Sequence, residues 1–276
     1  MPPKVNATKT GTEPPRAAAR PAAGRTILLA ALLMLALPSP ASARWTATSS
    51  VVHDRALHGC VVLLHGLGRT EASMERLAEA LAADGYIVAN VGYPSRSASI
   101  AELAEPAVNG GLEVCREAEA VPVHFVTHSL GGILLRQYLA DHDLPDLGRT
   151  VMLAPPNQGS EAADAFRDLP GFGLLTGEAG YELGTGDESV PLSLGPVDFD
   201  VGVIAGDKTI DPVSSLVLPD PDDGKVSVAR TRVEGMRDFI VLGHSHAFIM
   251  RNDETIGQVR HYLRHGRFDH GAGDGQ

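Results

Sequence analysis

The chain has 276 residues, 43% of them hydrophobic and 21% charged, with a formal net charge of −11 at pH 7. That size and balance fit one globular domain with a full-sized core. No Lys/Arg cluster interrupts the acidic composition, which argues against a nucleic-acid partner, because phosphate binding needs a basic footprint.

Residues 1–25 are rich in Pro, Ala and Thr and carry Lys4, Lys9, Arg16, Arg20 and Arg25 against one acid, Glu13. The apolar run "ILLAALLMLAL" (27–37) follows, then "PSPASA". A basic segment, a short apolar run and a small-x-small end predict a secretory signal peptide over 1–43, cut after Ala43. The mature protein is then secreted or periplasmic. The alternative is an uncleaved membrane anchor, for which this run is short of the roughly 20 residues that span a bilayer. No cysteine follows the run to accept a lipid. Cys60 and Cys115 would reach an oxidising compartment, where they are candidates for a disulfide. Two small buried thiols are the alternative.

From residue 59 onward, strand-like and helix-like runs alternate. "CVVLLHG" (60–66) reads as a strand buried on both faces. "EASMERLAEALAADG" (71–85) has helical spacing, with Thr70 as N-cap and Gly85 closing it. "YIVANVGYP" (86–94) is a second strand. A helix over 99–118 is expected to break or kink around Pro106 and Gly110-Gly111. A strand at 122–127 leads into a helix at 130–141. Strands at 149–156, 200–206 and 238–243 and a helix at 253–265 complete the alternation, and 266–276 reads as a disordered tail. The pattern predicts an α/β domain over 44–265, with a mostly parallel sheet of about six strands and helices on both faces. Residues 157–198 and 207–235 are longer than ordinary connections, and such loops are usually functional or mobile.

The stretch "HFVTHSLGGILLRQYL" (124–139) holds Ser129, expected to be exposed, at a strand–helix junction. The strand's C-terminal edge is where ligands gather in an open parallel sheet, and the helix N-terminus offers free N–H groups. Thr127-His128-Ser129-Leu130-Gly131 matches the nucleophile elbow G-x-S-x-G except for Thr at the first glycine. A serine that merely caps a helix is the bland alternative. A nucleophilic serine needs a base and an acid to orient it, in the chain order Ser, Asp/Glu, His. Of the downstream histidines, His244 and His246 in "GHSHAFIM" (243–250) follow the last strand, whereas His142, His261, His265 and His270 fall in or beyond helices. Candidate acids are Asp207 and Asp211, then Asp220, Asp222 and Asp223 in "LPDPDDGKVSV". "DPDDG" is also a plain turn sequence, and its spacing fails the calcium-loop pattern, so no metal is expected. "HGLGRT" (65–70) stands where a second oxyanion donor is needed. The backbone N–H groups of Leu67 and Leu130 are the candidates, while the His65 side chain reads as a core histidine bonded to backbone.

"VVLLHGLGRT", "GYPSR", "VHFVTHSLGGILLRQYL", "LAPPNQGSE", "DDGKVSV" and "HAFIM" together resemble segments of bacterial α/β-hydrolases of the esterase/lipase type, similar to the triacylglycerol lipase group. The resemblance spans about residues 58–263. It implies the α/β-hydrolase fold, Ser129 as nucleophile, Asp223 as acid and His246 as base, with no cofactor. Asp207 remains the second-choice acid and His244 the second-choice base. Spacing favours Asp223, which lies 23 residues before His246, enough for a return segment and a strand. From Asp207 the segment "VSVARTRV" would be left unexplained. Residues 157–198, with "FRDLPGFGLLTG", read as a cap over an acyl pocket. The expected partner is an ester or lipid substrate, with peripheral contact to membrane lipid as a corollary. An acyltransferase on the same fold, or an exported binding or assembly protein with a relic elbow, are the other function classes.

Overall fold

The apolar run that begins at Cys60 forms a strand whose alternate side chains serve two cores. The computed structural model describes residues 46–50, 58–219 and 221–271. Strands are β1 (Thr46–Ser50), β2 (Cys60–Leu64), β3 (Ile87–Gly92), β4 (Val123–His128), β5 (Leu147–Leu153), β6 (Val201–Gly206) and β7 (Asp238–Leu242). Helices are α1 (Glu75–Ala83), α2 (Ile100–Glu117), α3 (Leu130–Asp141), α4 (Glu161–Phe166), α5 (Phe172–Glu182), α6 (Val190–Ser193), α7 (Pro212–Ser215), α8 (Val228–Thr231) and α9 (Asp253–His265). The sheet order is β1-β3-β2-β4-β5-β6-β7. β2 to β7 are mutually parallel, and β1 joins β3 antiparallel.

Successive residues of a strand point to opposite faces. Val62 and Leu64 therefore join Val91 and Phe125 beneath Leu103, Val108, Ile133 and Leu134, on the α2/α3 face. Val61 and Leu63 join Val126, Val151 and Ile204 beneath Leu77, Leu81, Val259 and Tyr262, on the α1/α9 face. Each such fully buried aliphatic side chain contributes about 1.5–3 kcal/mol.

The six parallel strands are those expected, and among the described residues an antiparallel edge strand joins them as a seventh. The extra edge strand, "TATSS", has no apolar alternation to announce it, and its backbone pairing with β3 alone reveals it. The expected break at Pro106 and Gly110-Gly111 is absent, and α2 runs unbroken through all three. Its buried stripe, Ile100, Leu103, Ala107, Gly111 and Cys115, keeps helical register, so packing overrides local propensity. Gly111 is there for proximity, since a Cβ would lie 2.3 Å from Val62 Cγ1. The expected helix at 71–85 begins instead as a 3-10 turn over Glu71–Ser73, and Thr70 makes no side-chain cap. The tail expected to be disordered from 266 is ordered as far as Gly271. Phe268 is buried against Tyr262, and its N–H donates to Asp238 Oδ2 at 2.7 Å. The proposed signal segment 1–43 and residues 272–276 lie outside the described residues.

The long insertion after β5 carries α4, α5 and α6. Arg136 of α3 holds it from below, its guanidinium donating to Asn157 O and Oδ1, Pro191 O and Gly195 O at 2.7–3.2 Å. Glu182 ties down its middle, accepting from Ile100 N–H at the start of α2 at 2.6 Å.

Cys60 and Cys115 are joined in a disulfide, with Cα atoms 5.6 Å apart. Cys60 opens β2 and Cys115 lies in the last turn of α2, so the link sits at the N-terminal edge of the sheet. Closing a loop of this separation stabilises by about 2–4 kcal/mol. The Cys60→Ser/Cys115→Ser variant should lose about that much in urea denaturation and keep the wild-type active-site chemistry. The unreduced wild-type mass should fall short of the dithiol by two hydrogens.

Candidate active site

β4 ends at His128 and α3 begins at Leu130, which leaves one residue to reverse the chain. Ser129 does so at φ 52° and ψ −120°, a left-handed backbone that costs a non-glycine residue on the order of 1–3 kcal/mol. Two hydrogen bonds fix the turn, Ser129 N–H to Leu153 O at 2.9 Å and Gly132 N–H to Ser129 O at 3.0 Å. Gly131 permits it, since a Cβ there would lie 2.5 Å from Leu64 O and 2.9 Å from His65 O. Ser129 is 7% accessible rather than exposed, because Gly66, His128 and His246 close around it.

Thr127 replaces the first glycine of the elbow without disturbing it. Its side chain is fully buried, and a Cβ on Gly132 would sit 3.1 Å from its hydroxyl oxygen. The second of the paired glycines makes the room that the first position gives up.

The structure brings Ser129, His246 and Asp223 into one hydrogen-bonded chain. His246 Nε2 lies 3.0 Å from Ser129 Oγ, and His246 Nδ1 lies 2.8 Å from Asp223 Oδ2. Asp223 is fully buried and uses its other oxygen as well, accepting from Lys225 N–H at 2.9 Å and Val226 N–H at 2.8 Å. Its backbone carbonyl accepts from His246 N–H at 2.9 Å. Gly224, at φ 96°, lets the chain turn directly after the acid. Gly206 lets the acid approach β6, since a Cβ there would lie 3.0 Å from Asp223 Cβ. Asp222, Asp223 and Gly224 thus form a buried turn around a carboxylate. Asp220 lies outside the described residues, and Asp222 accepts from Gly224 N–H.

The second choices do not reach the serine. Asp207 Oδ1 lies 3.8 Å from Lys208 Nζ and is not among the partners of His246. His244 turns toward α9, its Nε2 3.0 Å from Glu254 Oε2. Asp211 binds Lys225 Nζ and Ser214 Oγ instead.

Of the two candidate oxyanion donors, Leu130 N–H is the first amide of α3 and Leu67 N–H follows Gly66. Neither has a hydrogen-bond partner among the described residues. The loop that carries Leu67 is held open by Gly68 N–H donating to Ser95 Oγ at 2.9 Å. His65 behaves as the core histidine expected. Its Nε2 accepts from Tyr93 N–H, its ring stacks on Tyr93 at 4.0 Å, and burial lowers its pKa to about 4.

Sequence reasoning missed the scaffold of the acid turn. Ser160 Oγ donates to Lys225 O at 2.7 Å, Asn157 Nδ2 to Thr231 O at 2.8 Å, and Arg230 Nε to Glu161 Oε1 at 2.6 Å. The motif "PPNQGSE" therefore pins the segment after Asp223, a role its position just past β5 alone does not disclose. Arg69 and His128, which reach the loop of His246, were also missed. Among the described residues, no cluster of His, Cys, Asp or Glu is placed to hold a metal ion.

No protein-family model matches the sequence, and no curated protein matches it. Among solved structures the chain is similar to the mature form of lipase BlEst2 from Bacillus licheniformis, at 19% identity and a TM-score of 0.64, over 80% of this chain and 98% of that one. It is also similar to phospholipase PlaB from Legionella pneumophila, at 20% identity and a TM-score of 0.55, over 74% of this chain but only 57% of that one. The esterase EaEST from Exiguobacterium antarcticum is a third, at 15% identity and a TM-score of 0.52, over 80% and 96%. The chain has the α/β-hydrolase fold that its sequence motifs imply.

The steric account of the elbow predicts a contrast between two glycines. Gly131→Ala should lose about 1–3 kcal/mol in chemical denaturation, because its Cβ meets backbone. Gly257→Ala, in α9 with open space around it, should gain about 0.5–1 kcal/mol.

Proposed function

We propose that this protein is an exported serine hydrolase of carboxylic esters, acting on acyl or lipid esters through an acyl-enzyme. The observation that carries the reading is the chain from buried Asp223 through His246 to Ser129, with the Leu130 N–H next to the serine and the Leu67 N–H just after Gly66, which lies against Ser129, neither of them hydrogen-bonded among the described residues. Ser129 Oγ attacks the ester carbonyl carbon as its proton passes to His246 Nε2. Asp223 keeps the Nδ1 proton facing it and stabilises the imidazolium that forms. The Leu67 and Leu130 N–H groups receive the negative charge that develops on the carbonyl oxygen. His246 returns its proton to the departing alcohol. Water then attacks the acyl-enzyme by the reverse path, with His246 again as base, and frees the acid. Every step uses this chain's own groups.

The solved structures similar in fold include proteins described as lipase, phospholipase and esterase, which supports an ester substrate. Export is supported by the Cys60–Cys115 disulfide, which fits an oxidising compartment. A signal peptide cut after Ala43 is the route we assign to it. Residues 157–198 serve as the cap, and Leu174, at 86% accessibility, is an apolar contact it offers to an acyl chain or lipid.

A fluorophosphonate probe should label the wild type and leave Ser129→Ala unlabelled, and p-nitrophenyl esters should be turned over by the first only. Labelling of the variant at another serine would remove Ser129 from the role. Asp223→Asn should lower kcat by about 10⁴, since the imidazole loses its orienting acceptor, whereas Asp207→Asn should leave kcat near that of the wild type.

A further inference from the structure

The loop that carries His246 lies in no helix or strand: β7 stops at Leu242, and only a local turn, closed by Phe248 N–H and Ile249 N–H on Ser245 O at 3.0 Å, precedes the 3-10 turn at Ile249. Hydrogen bonds to its backbone must therefore set the position of the ring. His246 N–H is held by the Asp223 carbonyl, and Arg69 Nη2 donates to Ala247 O at 2.9 Å. The third tether comes from the residue just before the serine: His128 Nε2 lies 3.1 Å from the His246 carbonyl oxygen.

We propose that His128 is a positioning residue for His246, a neutral imidazole with its proton on Nε2 that donates to the His246 carbonyl and fixes the base against Ser129. The proposal rests on the reading of His246 as the base. A carbonyl oxygen only accepts, so this pairing requires the proton on Nε2. The other nitrogen, Nδ1, is buried without a hydrogen-bond partner among the described residues, beside Gly66, whose added Cβ would lie 2.6 Å from it. A proton there would bury an unpaired N–H and a charge.

The groups that face His128 agree with this state. The charged and titratable groups that act on it are His246, with its ring centroid 4.9 Å away, Arg69 and His65. Burial first, then these neighbours, hold the His128 pKa well below the ordinary imidazole range. The donor thus stays a donor while His246 gains and loses its proton. A charged ring at His128 would oppose the imidazolium that His246 must become. His65, by contrast, engages both of its ring nitrogens in ordinary core bonding. His128 leaves one nitrogen unpartnered and places its single donor on the loop of the base.

Two variants separate positioning from bulk. His128→Phe keeps the ring and removes the donor, and His128→Gln offers an amide N–H at about the reach of Nε2. With a p-nitrophenyl ester, His128→Phe should lose about 10–100-fold in kcat with little change in KM, and its rate of fluorophosphonate labelling should fall in parallel. His128→Gln should recover most of both. Imidazole nitrogen spectra of the wild type near pH 7 should show His128 protonated on Nε2 alone. The His246 Nδ1 proton resonance should shift in the Phe variant and return in the Gln variant. Full kcat in His128→Phe, equal losses in Phe and Gln, or an Nδ1-protonated or doubly protonated His128 would overturn the proposal. Failure of the functional reading looks different: a wild type that neither takes the probe nor hydrolyses esters removes His246 as base, and this proposal falls with it.

Discussion

Everything in the site hangs from the contact between Gly131 and the end of β2. Because Gly131 has no side chain, α3 begins against the carbonyls of Leu64 and His65, and the chain can reverse at one residue. That reversal places Ser129 at the C-terminal edge of the sheet with the first amide of α3 beside it. The parallel pairing of β2 and β4, with Leu64 opposite Thr127, brings the loop of Leu67 to the same edge. The proposed nucleophile and both proposed oxyanion donors are thus consequences of one close approach between strand and helix.

The proposed base, His246, and the proposed acid, Asp223, lack such rigid support. Both sit on loops, so convergent hydrogen bonds fix them. The Asp223 carboxylate is buried, and a buried charge is costly unless its lone pairs are satisfied. Both of its oxygens are occupied, one by His246 and the other by two backbone N–H groups. The backbone of His246 is held at its N–H by the Asp223 carbonyl, and its own carbonyl faces His128. A preorganised site of this kind needs little rearrangement when charge develops, which is where electrostatic catalysis gains most.

The insertion after β5 shows the same economy in its anchoring. Arg136 is buried with no carboxylate partner among the described residues, and burial lowers its pKa to about 10, so it remains a cation at neutral pH. Its guanidinium gathers oxygens from both ends of the insertion, Asn157 at the start and Pro191 and Gly195 near the close. Delocalised charge and a planar fork of donors suit Arg to that task. The same stretch then pins the turn that follows Asp223, so the insertion and the Asp223 turn are supported by one network.

The sequence by itself determined the parallel sheet, through apolar runs too continuous for a one-sided strand, and the elbow, through a serine wedged between a strand pattern and Gly131-Gly132. Chain order narrowed the acid and base to a few residues, because strand ends that share a sheet edge bring their loops together. Three things waited for the tertiary structure. The edge strand at 46–50 has no hydrophobic signature and exists by pairing with β3. The continuity of α2 through Pro106 is set by the core beneath it, which local propensity does not include. That His246 rather than His244 lies beside Ser129, and Asp223 rather than Asp207 or Asp211 beside His246, is seen only where the side chains face each other. That depends on how the 207–235 segment loops out and returns to the sheet edge, a long-range arrangement that no local pattern encodes.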